Sequence, residues 1–462
     1  MGAHRGELHH GSDEHHRHGV RGEGRQRGRI RGRRWPSPGT GAGRVAPLKN
    51  ADRRGGACVP AWPGQGSRGR HAGLPLRFPF GDSPMNQATF GIIGAGGIAQ
   101  SQHLPNLTRA PHVKLRTLCD LREDVLQQMQ AKYAVPQAET DYCALLADPE
   151  IAAVVVATRE DMQAPLPIEA LNAGKHGYVE KPLANTPQEV EAVGAAQQAS
   201  GKFVAVGFNR RMAPAYTKAK ELLCADGGAK NLHYRISDEY WSWGKNYPPG
   251  VRVIHEVCHI FDLCRWFSDS DPEHLYCLES RPDDEVFVLK MKSGCVCSIM
   301  SSGYVTMDLP KERVEIVSNL GAVTVEEFVE LRTYGYADAE PVYRYAGHSH
   351  PDREFTHKYL LEKEGANALS ALRRLGWEQR NRAQANGDPL PDAAERKDYV
   401  GNRSPHWNYM VDKGWLAAVD HFAQCVLSGE PPRNAGAADG LWSARMSAAA
   451  IESRKTGAVV QF

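Results

Sequence analysis

The sequence predicts an α/β protein in which a doubly wound parallel sheet is followed by a region of antiparallel strands. A glycine-rich turn follows a short apolar strand near residue 90, and strand and helix patterns then alternate as far as residue 206. Such alternation produces a parallel sheet. From Leu232 onward, alternating or apolar runs are separated by glycine turns, a pattern typical of antiparallel strands.

The first 84 residues differ from the rest in charge and composition. Fifteen Arg and one Lys against six acidic residues give this leader a charge of +10, while the whole chain carries +2, so residues 85–462 carry −8. The leader lacks apolar periodicity, and we expect it to be disordered. Arg-Gly runs occur in nucleic-acid-binding segments. However, Met85 stands just before the first strand, so a mis-chosen start codon explains the leader better, and we expect no nucleic-acid partner.

The remaining residues are enough for two domains. No run of 18 apolar residues and no secretory signal are present, so we expect no membrane span. The ten cysteines include no C-x-x-C pair. This usage indicates reduced thiols in a cytoplasmic protein rather than a disulfide framework.

The first strand ends in a turn with the spacing G-x-G-x-x-A. Gly94 permits the tight turn, Gly96 lets a pyrophosphate approach the backbone, and Ala99 lets the following helix pack closely on the sheet. The helix N-terminus then offers free N–H groups to phosphates, with Gly97 and Ile98 as further phosphate contacts. The turn predicts a dinucleotide site. The alternative is a structural β-turn-α loop of another α/β protein.

An acidic residue follows the second apolar run at the position of a ribose-binding carboxylate. Asp120 stands roughly 20 residues past the glycines, at the end of residues 113–118. It favours NAD because a carboxylate repels the 2′-phosphate of NADP. Arg122 follows closely and weakens this preference, so NADP stays open.

The remaining elements of the first domain follow from apolar runs and caps. Residues 151–157 form a continuous apolar run, as expected of a strand covered on both faces. Thr186 and Gly201 are expected to cap the two ends of one helix. The predicted helices are 98–107, 122–133, 141–146, 165–173 and 186–200, and the further strands are 176–179 and 203–206.

Three loops lie at carboxyl ends of the predicted strands, where ligands bind in open α/β sheets. They are Thr158-Arg159-Glu160-Asp161, Glu180-Lys181-Pro182 and Gly207-Phe208-Asn209-Arg210-Arg211. Lys181 is either a cofactor-anchoring or proton-transferring amine or a solvated lysine paired with Glu180, and both interpretations stay open.

The glycine turn, Asp120, the stretch 173–184 around Glu180-Lys181-Pro182, and Gly207-Phe208-Asn209-Arg210 together resemble the Gfo/Idh/MocA oxidoreductases. The resemblance implies a Rossmann domain followed by an α/β domain with a large, mostly antiparallel sheet, whose open face often mediates oligomers. A homo-oligomer is therefore expected. It also implies that Lys181 lies between nicotinamide and substrate. The other expected cofactor contacts are Thr158, Glu180, Asn209 and Arg210.

With this resemblance the chain divides into four parts. These are the leader 1–84, a dinucleotide-binding domain 85–207, a substrate and oligomerisation domain 208–437 with an insertion at about 338–412, and a helix at 438–462 that returns to the first domain.

The second chemical stretch is Arg252-Val-Ile-His255-Glu256-Val-Cys258-His259-Ile-Phe-Asp262. Taken alone it matches H-E-x-x-H, a zinc-protease motif, but no third ligand is evident downstream and no metal is expected. The resemblance instead makes His259 the catalytic histidine and Asp262 its orienting partner. The family's first Asp is replaced by His255. His259 is the candidate general base because histidine titrates near neutrality; its alternative is a structural helix histidine.

Aromatic and basic residues near these motifs are candidate sugar contacts. The expected substrate-binding residues are Lys181, Arg210, Trp241, Arg252, His255 and His259. Further candidates are Trp243, Arg403, His406, Trp407 and Tyr409. His348, His350 and His357 in the insertion are expected to be solvated surface residues.

The resemblance implies an NAD(P)-dependent oxidoreductase that moves a hydride between nicotinamide and a ring carbon of a sugar, cyclitol or sugar derivative. Two alternatives remain. One is a redox-neutral glycosidase that uses bound NAD, and the other is a non-catalytic dinucleotide-binding regulatory protein, suggested by the altered position 255.

Overall fold

The structure is a computed structural model that describes residues 86–243, 247–306, 308–347, 358–387 and 411–462. The predicted leader lies outside the described residues. So do the three histidines of the insertion, the candidate contacts at 403–409 and the side chain of Trp243.

The first sheet has six parallel strands in the order β3-β2-β1-β4-β5-β6. The chain runs outward from β1 to β3 and then crosses back to β4 beside β1. Ligands bind at such a switch point, outside the carboxyl ends of the strands. The strands are β1 Ala88–Ile93, β2 Val113–Cys119, β3 Gln137–Glu139, β4 Ala153–Val156, β5 His176–Val179 and β6 Val204–Val206.

Short helices connect these strands, as the sequence predicts. The first begins as a π-helical turn at Ala99–His103. Thr186 and Glu189 form a capping box at the start of the last connecting helix, and Gly201 ends it with φ of 66°. The helices are α1 Leu104–Leu107, α2 Glu123–Tyr133, α3 Tyr142–Ala147, α4 Pro165–Asn172 and α5 Pro187–Ser200.

The second sheet has nine strands in the order β14-β13-β12-β11-β7-β10-β9-β8-β15. Only β7 and β10 pair in parallel among the strands described; the other neighbours are antiparallel. The predicted fold class is therefore confirmed. The strands are β7 Asn231–Ser237, β8 Pro272–Arg281, β9 Asp284–Met291, β10 Val296–Ser302, β11 Glu312–Val317, β12 Ala322–Glu326, β13 Glu330–Tyr334, β14 Val342–Arg344 and β15 Val460–Gln461.

Seven further helices are described in the second half of the chain. None of the helices in the described part of the chain is long and apolar enough to cross a membrane. The helices are α6 Pro214–Ala225, α7 Tyr240–Trp243, α8 Cys258–Ser268, α9 Lys358–Glu364, α10 Ala366–Asn386, α11 Trp415–Ser428 and α12 Ala437–Thr456.

The return of the chain to the first sheet differs from the predicted boundary at 437. Helix α11 already packs on the first sheet, where Phe422 meets the rings of Phe90 and Tyr178. In the last helix, Met446 and Ala450 join the core under the second sheet, and β15 pairs with β8. The last segment therefore connects both sheets.

The second sheet has one covered and one open face. Along β9, Phe287 and Leu289 are buried, whereas Val286 and Val288 are 46% and 42% exposed. This period of two is that of a strand with one face on a core. The nine cysteines in the described ranges are free thiols.

Candidate functional site

The glycine turn after β1 is in close contact with the rest of the chain at Gly94 and is open at Gly96 and Gly97. Gly94 has φ of 101°, and a Cβ there would lie 2.3 Å from the carbonyl oxygen of Ala157, so only glycine fits. A Cβ on Gly96 or Gly97 would meet nothing within 4 Å. The open side leaves these backbone groups accessible to a phosphate, as a dinucleotide site requires.

Asp120 lies at the rim of this turn. Its carboxylate accepts a 2.7 Å hydrogen bond from the backbone nitrogen of Ala95 and a 3.0 Å bond from Nε of Arg122. Burial alone would raise the pKa of Asp120, but these hydrogen bonds outweigh it and lower the pKa. An ionised carboxylate therefore stands beside the turn, with the guanidinium of Arg122 against it.

The loop after β4 is brought to the same place. Thr158 lies beside Gly94, because its Cγ2 would be 3.3 Å from a Cβ added there. Its hydroxyl donates a long 3.4 Å bond to the carbonyl oxygen of Arg159. Thr158 thus lies at the switch point beside the glycine turn.

Glu180 is not where a cofactor contact would be expected. It is buried, and its Oε1 is 2.7 Å from Nε2 of His103. Its other oxygen accepts a 3.1 Å bond from the backbone nitrogen of Lys181. A Cβ on Gly207 would press against the Glu180 carboxylate at 3.0 Å. The predicted cofactor contact is corrected, since this carboxylate holds the end of β5 to the π-helical turn after the glycines.

Lys181 connects the first sheet to the second chemical stretch. Its Nζ donates a 2.7 Å hydrogen bond to the backbone carbonyl oxygen of His255. The predicted solvated pair with Glu180 is not formed, because Glu180 faces His103. Lys181 therefore points from the carboxyl edge of the parallel sheet toward the histidine helix.

The histidine helix begins with a π-helical turn, Val253–Val257, which continues into α8. Such turns occur frequently at functional sites. The His255 side chain is 13% exposed, and its ring meets Tyr247 edge-on. Burial and the neighbouring Lys181 lower the pKa of His255, while Glu160 opposes them.

His259 lies one turn deeper and is buried. Its Nδ1 has no hydrogen-bond partner in the described part of the chain, and its ring meets Phe208 edge-on. Burial, with Arg210 and Lys181 nearby, holds the pKa of His259 well below its usual value. A neutral imidazole in this position is able to accept a proton.

Asp262 does not orient His259, which corrects the predicted pairing. Both of its carboxylate oxygens accept from Arg211, at 2.8 and 2.5 Å. Arg211 also reaches Asp439 at the start of α12. Asp262 therefore fastens the helix to the loop after β6 rather than to the imidazole.

Asn209 and Arg210 form the floor of the site rather than contacts to a cofactor. Arg210 makes a buried two-fold pair with Glu312, at 2.7 and 2.8 Å, and Lys413 reaches the same carboxylate at 3.2 Å. The amide of Asn209 donates to the carbonyl oxygen of Lys413. The predicted cofactor and substrate contacts of Arg210 are corrected because its guanidinium is buried and already paired. Asn209 is buried too, but only its amide nitrogen is paired, and its Oδ1 has no hydrogen-bond partner in the described part of the chain.

Arg252 is likewise structural. It is fully buried, donates to Asp238 at 3.2 Å and contacts the hydroxyl of Ser301. A side chain without exposed surface has no access to a soluble substrate. Trp241 differs, since it is 51% exposed, and its indole N–H donates to the carbonyl oxygen of Val305. Its ring stays available to a sugar.

Three side chains of the site, Lys311, His103 and Glu160, have partners that were not predicted. Lys311 bridges Glu256 at 3.1 Å and Asp238 at 3.0 Å. His103 secures Glu180, and Glu160 faces His255. Each partner lies on another element, so no local motif signals the pair.

The H-E-x-x-H stretch is used for ion pairing. Burial alone would raise the pKa of Glu256. The pKa is nevertheless lowered, because the cations of Lys311 and Lys181 lie near the carboxylate. Among the residues that the structure describes, no group of three His, Cys, Asp or Glu side chains is placed to hold a metal ion.

Comparison with known proteins agrees with this geometry. Residues 88–208 match the family model described as oxidoreductase family, NAD-binding Rossmann fold. The chain is 33% identical over 193 residues to an uncharacterized oxidoreductase, YrbE, of Bacillus subtilis, covering 41% of this chain and 56% of that protein. It is 27% identical over 217 residues to inositol 2-dehydrogenase of Salmonella typhimurium, covering 44% and 64%. The chain thus matches less than two thirds of either relative's length.

Solved structures share the fold over more of the chain. A probable dehydrogenase from Thermotoga maritima is 21% identical, with a TM-score of 0.58, over 81% of this chain and 98% of that one. An oxidoreductase domain protein from Kribbella flavida is 21% identical, with a TM-score of 0.61, over 82% and 99%. These likenesses support the fold. Residues 88–208 thus match the Gfo/Idh/MocA oxidoreductase model, and the first domain has the NAD-binding Rossmann fold that this model describes.

Proposed function

We propose that the protein is an NAD-dependent dehydrogenase that oxidises a ring hydroxyl of a cyclitol, sugar or sugar derivative, or reduces the corresponding ketone. The observation that carries this proposal is the 2.7 Å hydrogen bond from Lys181 to the carbonyl of His255. It brings an amine from the cofactor edge of the first sheet to the helix that bears His255 and His259. A substrate in this gap meets both the cofactor and the proton-transferring groups.

The cofactor supplies the hydride acceptor, C4 of the nicotinamide, when it is bound. The chain supplies the acid–base groups. Lys181 donates a hydrogen bond to the reacting oxygen and stabilises negative charge as it develops there. His259, kept neutral by burial and by nearby cations, accepts the hydroxyl proton at an imidazole nitrogen.

The glycine turn and Asp120 support NAD over NADP. Gly96 and Gly97 leave room for the pyrophosphate, and Asp120 is ionised at the rim where the adenosine ribose would lie. A carboxylate accepts hydrogen bonds from ribose hydroxyls and repels a 2′-phosphate. Arg122 offers a cation next to it, so some use of NADP is expected.

The curated relatives guide the choice of substrate. Several are named inositol 2-dehydrogenases, and one is a myo-inositol 2-dehydrogenase of Thermotoga maritima, 27% identical over 258 residues. Cyclitols are therefore the first substrates to test, and simple aldoses the second. The half-exposed ring of Trp241 suits the apolar face of such a ring.

The open face of the second sheet supports self-association. Leu278, Val286 and Met300 are opposite one another on three adjacent strands and are 56%, 46% and 39% exposed. An apolar line of this kind is covered most simply by a second copy of the chain. We infer a homo-oligomer formed through this face.

The test is a substrate screen with the full chain. NAD and NADP are titrated by tryptophan fluorescence, and inositols, aldoses and aryl glycosides are then assayed for reduced nicotinamide and for aglycone release. Net NADH from a cyclitol or sugar is the expected result. Aglycone release without net NADH would replace the proposal with the redox-neutral glycosidase. Tight NAD binding without any turnover would favour a regulatory protein.

A further inference from the structure

His255 occupies the position where the resemblance places a carboxylate, and the structure brings a carboxylate to it from elsewhere. Glu160 lies in the single 3₁₀ turn Glu160–Met162 that follows β4. Its Oε1 is 3.9 Å from Nε2 of His255. The two residues come from different regions of the chain and meet near the surface, where both side chains are partly exposed.

Tyr247 contacts both Glu160 and His255. Its hydroxyl donates a 3.1 Å hydrogen bond to the same Oε1 of Glu160, and its ring lies 4.4 Å from the His255 ring, edge to face. The tyrosine therefore fixes the Glu160 oxygen against the imidazole. The Glu160 side chain is 32% exposed, whereas that of His255 is 13% exposed, so the pair leads from the cleft toward solvent.

We propose that Glu160 is a positioning residue that supplies to His255 the carboxylate that position 255 lacks, so that His255 and Glu160 form the outlet for the substrate's hydroxyl proton. This inference rests on the proposed dehydrogenase function. The separation of 3.9 Å is longer than a hydrogen bond, and catalytic hydrogen bonds commonly shorten when substrate binds.

The charges around His255 make such a partner necessary. Burial and the cation of Lys181 both disfavour a protonated imidazole. Glu160, Glu256 and Asp283 favour it, and Glu256 is already paired with Lys311 while Asp283 accepts from the backbone nitrogens of Gly250 and Arg252. Glu160 is the carboxylate that faces the ring from the solvent side.

The proton balance is simple. As the C–H bond breaks, its hydrogen and both electrons leave as hydride to the nicotinamide, and the O–H proton is taken up by the histidines of the helix. His259 and His255 stand four residues apart on one side of this helix. In the proposed path the proton passes from His259 to His255 and then from Nε2 of His255 to Glu160 and to bulk water, which regenerates both neutral imidazoles.

The test compares Glu160→Gln with Asp161→Asn, a neighbouring exposed carboxylate that pairs with Arg159, the residue just before the turn, at 3.0 Å. We expect E160Q to lower kcat by about tenfold to a hundredfold, with unchanged NAD affinity and thermal stability. D161N should stay within about twofold of the wild type, as for a surface pair of little energetic weight. Tyr247→Phe, which removes the hydroxyl from Glu160, should lower kcat in the same direction by a smaller factor.

A second variant background tests whether Glu160 acts through His255. In His255→Asp, which restores a carboxylate to the helix, adding E160Q should lower kcat by less than about threefold, because partners that act as a unit are not additive. An equal loss from E160Q in both backgrounds, or no loss in the wild-type background, would overturn the proposal.

A substrate-free measurement separates this inference from the proposed function. The imidazole signals of His255, assigned with His255→Gln, are titrated by NMR in the full chain. E160Q should lower the His255 pKa, and an unchanged pKa would refute the pairing even in an active enzyme. Absence of turnover in the wild type would count against the proposed function while the titration still decides the pairing.

Discussion

Nζ of Lys181 lies 2.7 Å from the backbone carbonyl oxygen of His255. This hydrogen bond joins the end of β5 to the π-helical turn that precedes α8. It spans 74 residues of sequence and places the amine of one motif against the backbone of the other. The hydrogen bond thus brings the Glu180-Lys181-Pro182 motif and the histidine helix together.

The glycine turn provides a matched pair of substitutions. Gly94→Ala should destabilise the fold by about 1–3 kcal/mol, because its φ of 101° and the Ala157 carbonyl oxygen 2.3 Å away both oppose a Cβ. Gly97→Ala meets no neighbour and should keep its melting temperature while NAD affinity falls. Thermal denaturation and NAD titration of both variants check this. Loss of stability in G97A equal to that in G94A would contradict the assignment of the open side.

Cofactor preference should depend on the pair at the rim. Asp120→Asn removes the charge that repels a 2′-phosphate and should shift the ratio of NAD to NADP affinity toward NADP by about tenfold. Arg122→Ala should shift the ratio toward NAD, since it removes the cation at 3.0 Å from Asp120. Fluorescence titration with both nucleotides in each variant is the measurement. If the ratio of NAD to NADP affinity shifted in the same direction in both variants, Asp120 and Arg122 would not have opposite roles.

The buried ion pair beneath the site should be necessary for stability. Glu312→Gln leaves Arg210 and Lys413 with an uncharged partner and should cost about 3–5 kcal/mol. Arg313→Ala breaks a half-exposed pair with Glu315 on the same strand and should cost at most about 1 kcal/mol. Urea unfolding of both variants tests the contrast. A cost of less than about 1 kcal/mol for E312Q would show that the floor of the site does not depend on this pair.

The neutral state of His259 should appear in the pH dependence of stability. Its folded pKa is depressed below the unfolded value of about 6.5. Its stabilising contribution is therefore fully present above that value and is lost as the pH falls below it, by about 1.4 kcal/mol per pH unit for one proton. His259→Gln should remove this contribution to the slope of the free energy of unfolding against pH between pH 6.5 and 5.5. The slope is measured by urea unfolding of the wild type and the variant. An identical slope in the variant would mean that His259 is protonated in the folded state.

The first sheet was predictable because its signals are local. The apolar run of β4 and the helix cap at Thr186 are read from neighbouring residues, and the structure confirms both. Strand β8 was not predicted. Its sequence, Pro272–Arg281, mixes apolar and charged side chains, and half of it lies exposed beside the short β15. Such a strand is defined by its neighbours rather than by its own pattern.

The roles of charged side chains were less predictable for the same reason. Arg252 stands in the catalytic stretch by sequence, yet its partners Asp238 and Ser301 hold it in the core. Glu180 follows strand β5 at the predicted cofactor edge, yet its carboxylate contacts His103, which lies 77 residues earlier in the sequence. A buried charge is recognised only when its distant partner is known.

The most direct test of the central claim is the turnover of Lys181→Met beside that of Lys218→Ala, a partly exposed lysine on α6 that is paired with Glu221. With a cyclitol identified in the screen, Lys181→Met should bind NAD normally and lose about a hundredfold or more in kcat, while Lys218→Ala should match the wild type. Full activity in Lys181→Met would contradict the account, because the amine that joins the cofactor edge to the histidine helix would then have no part in the reaction.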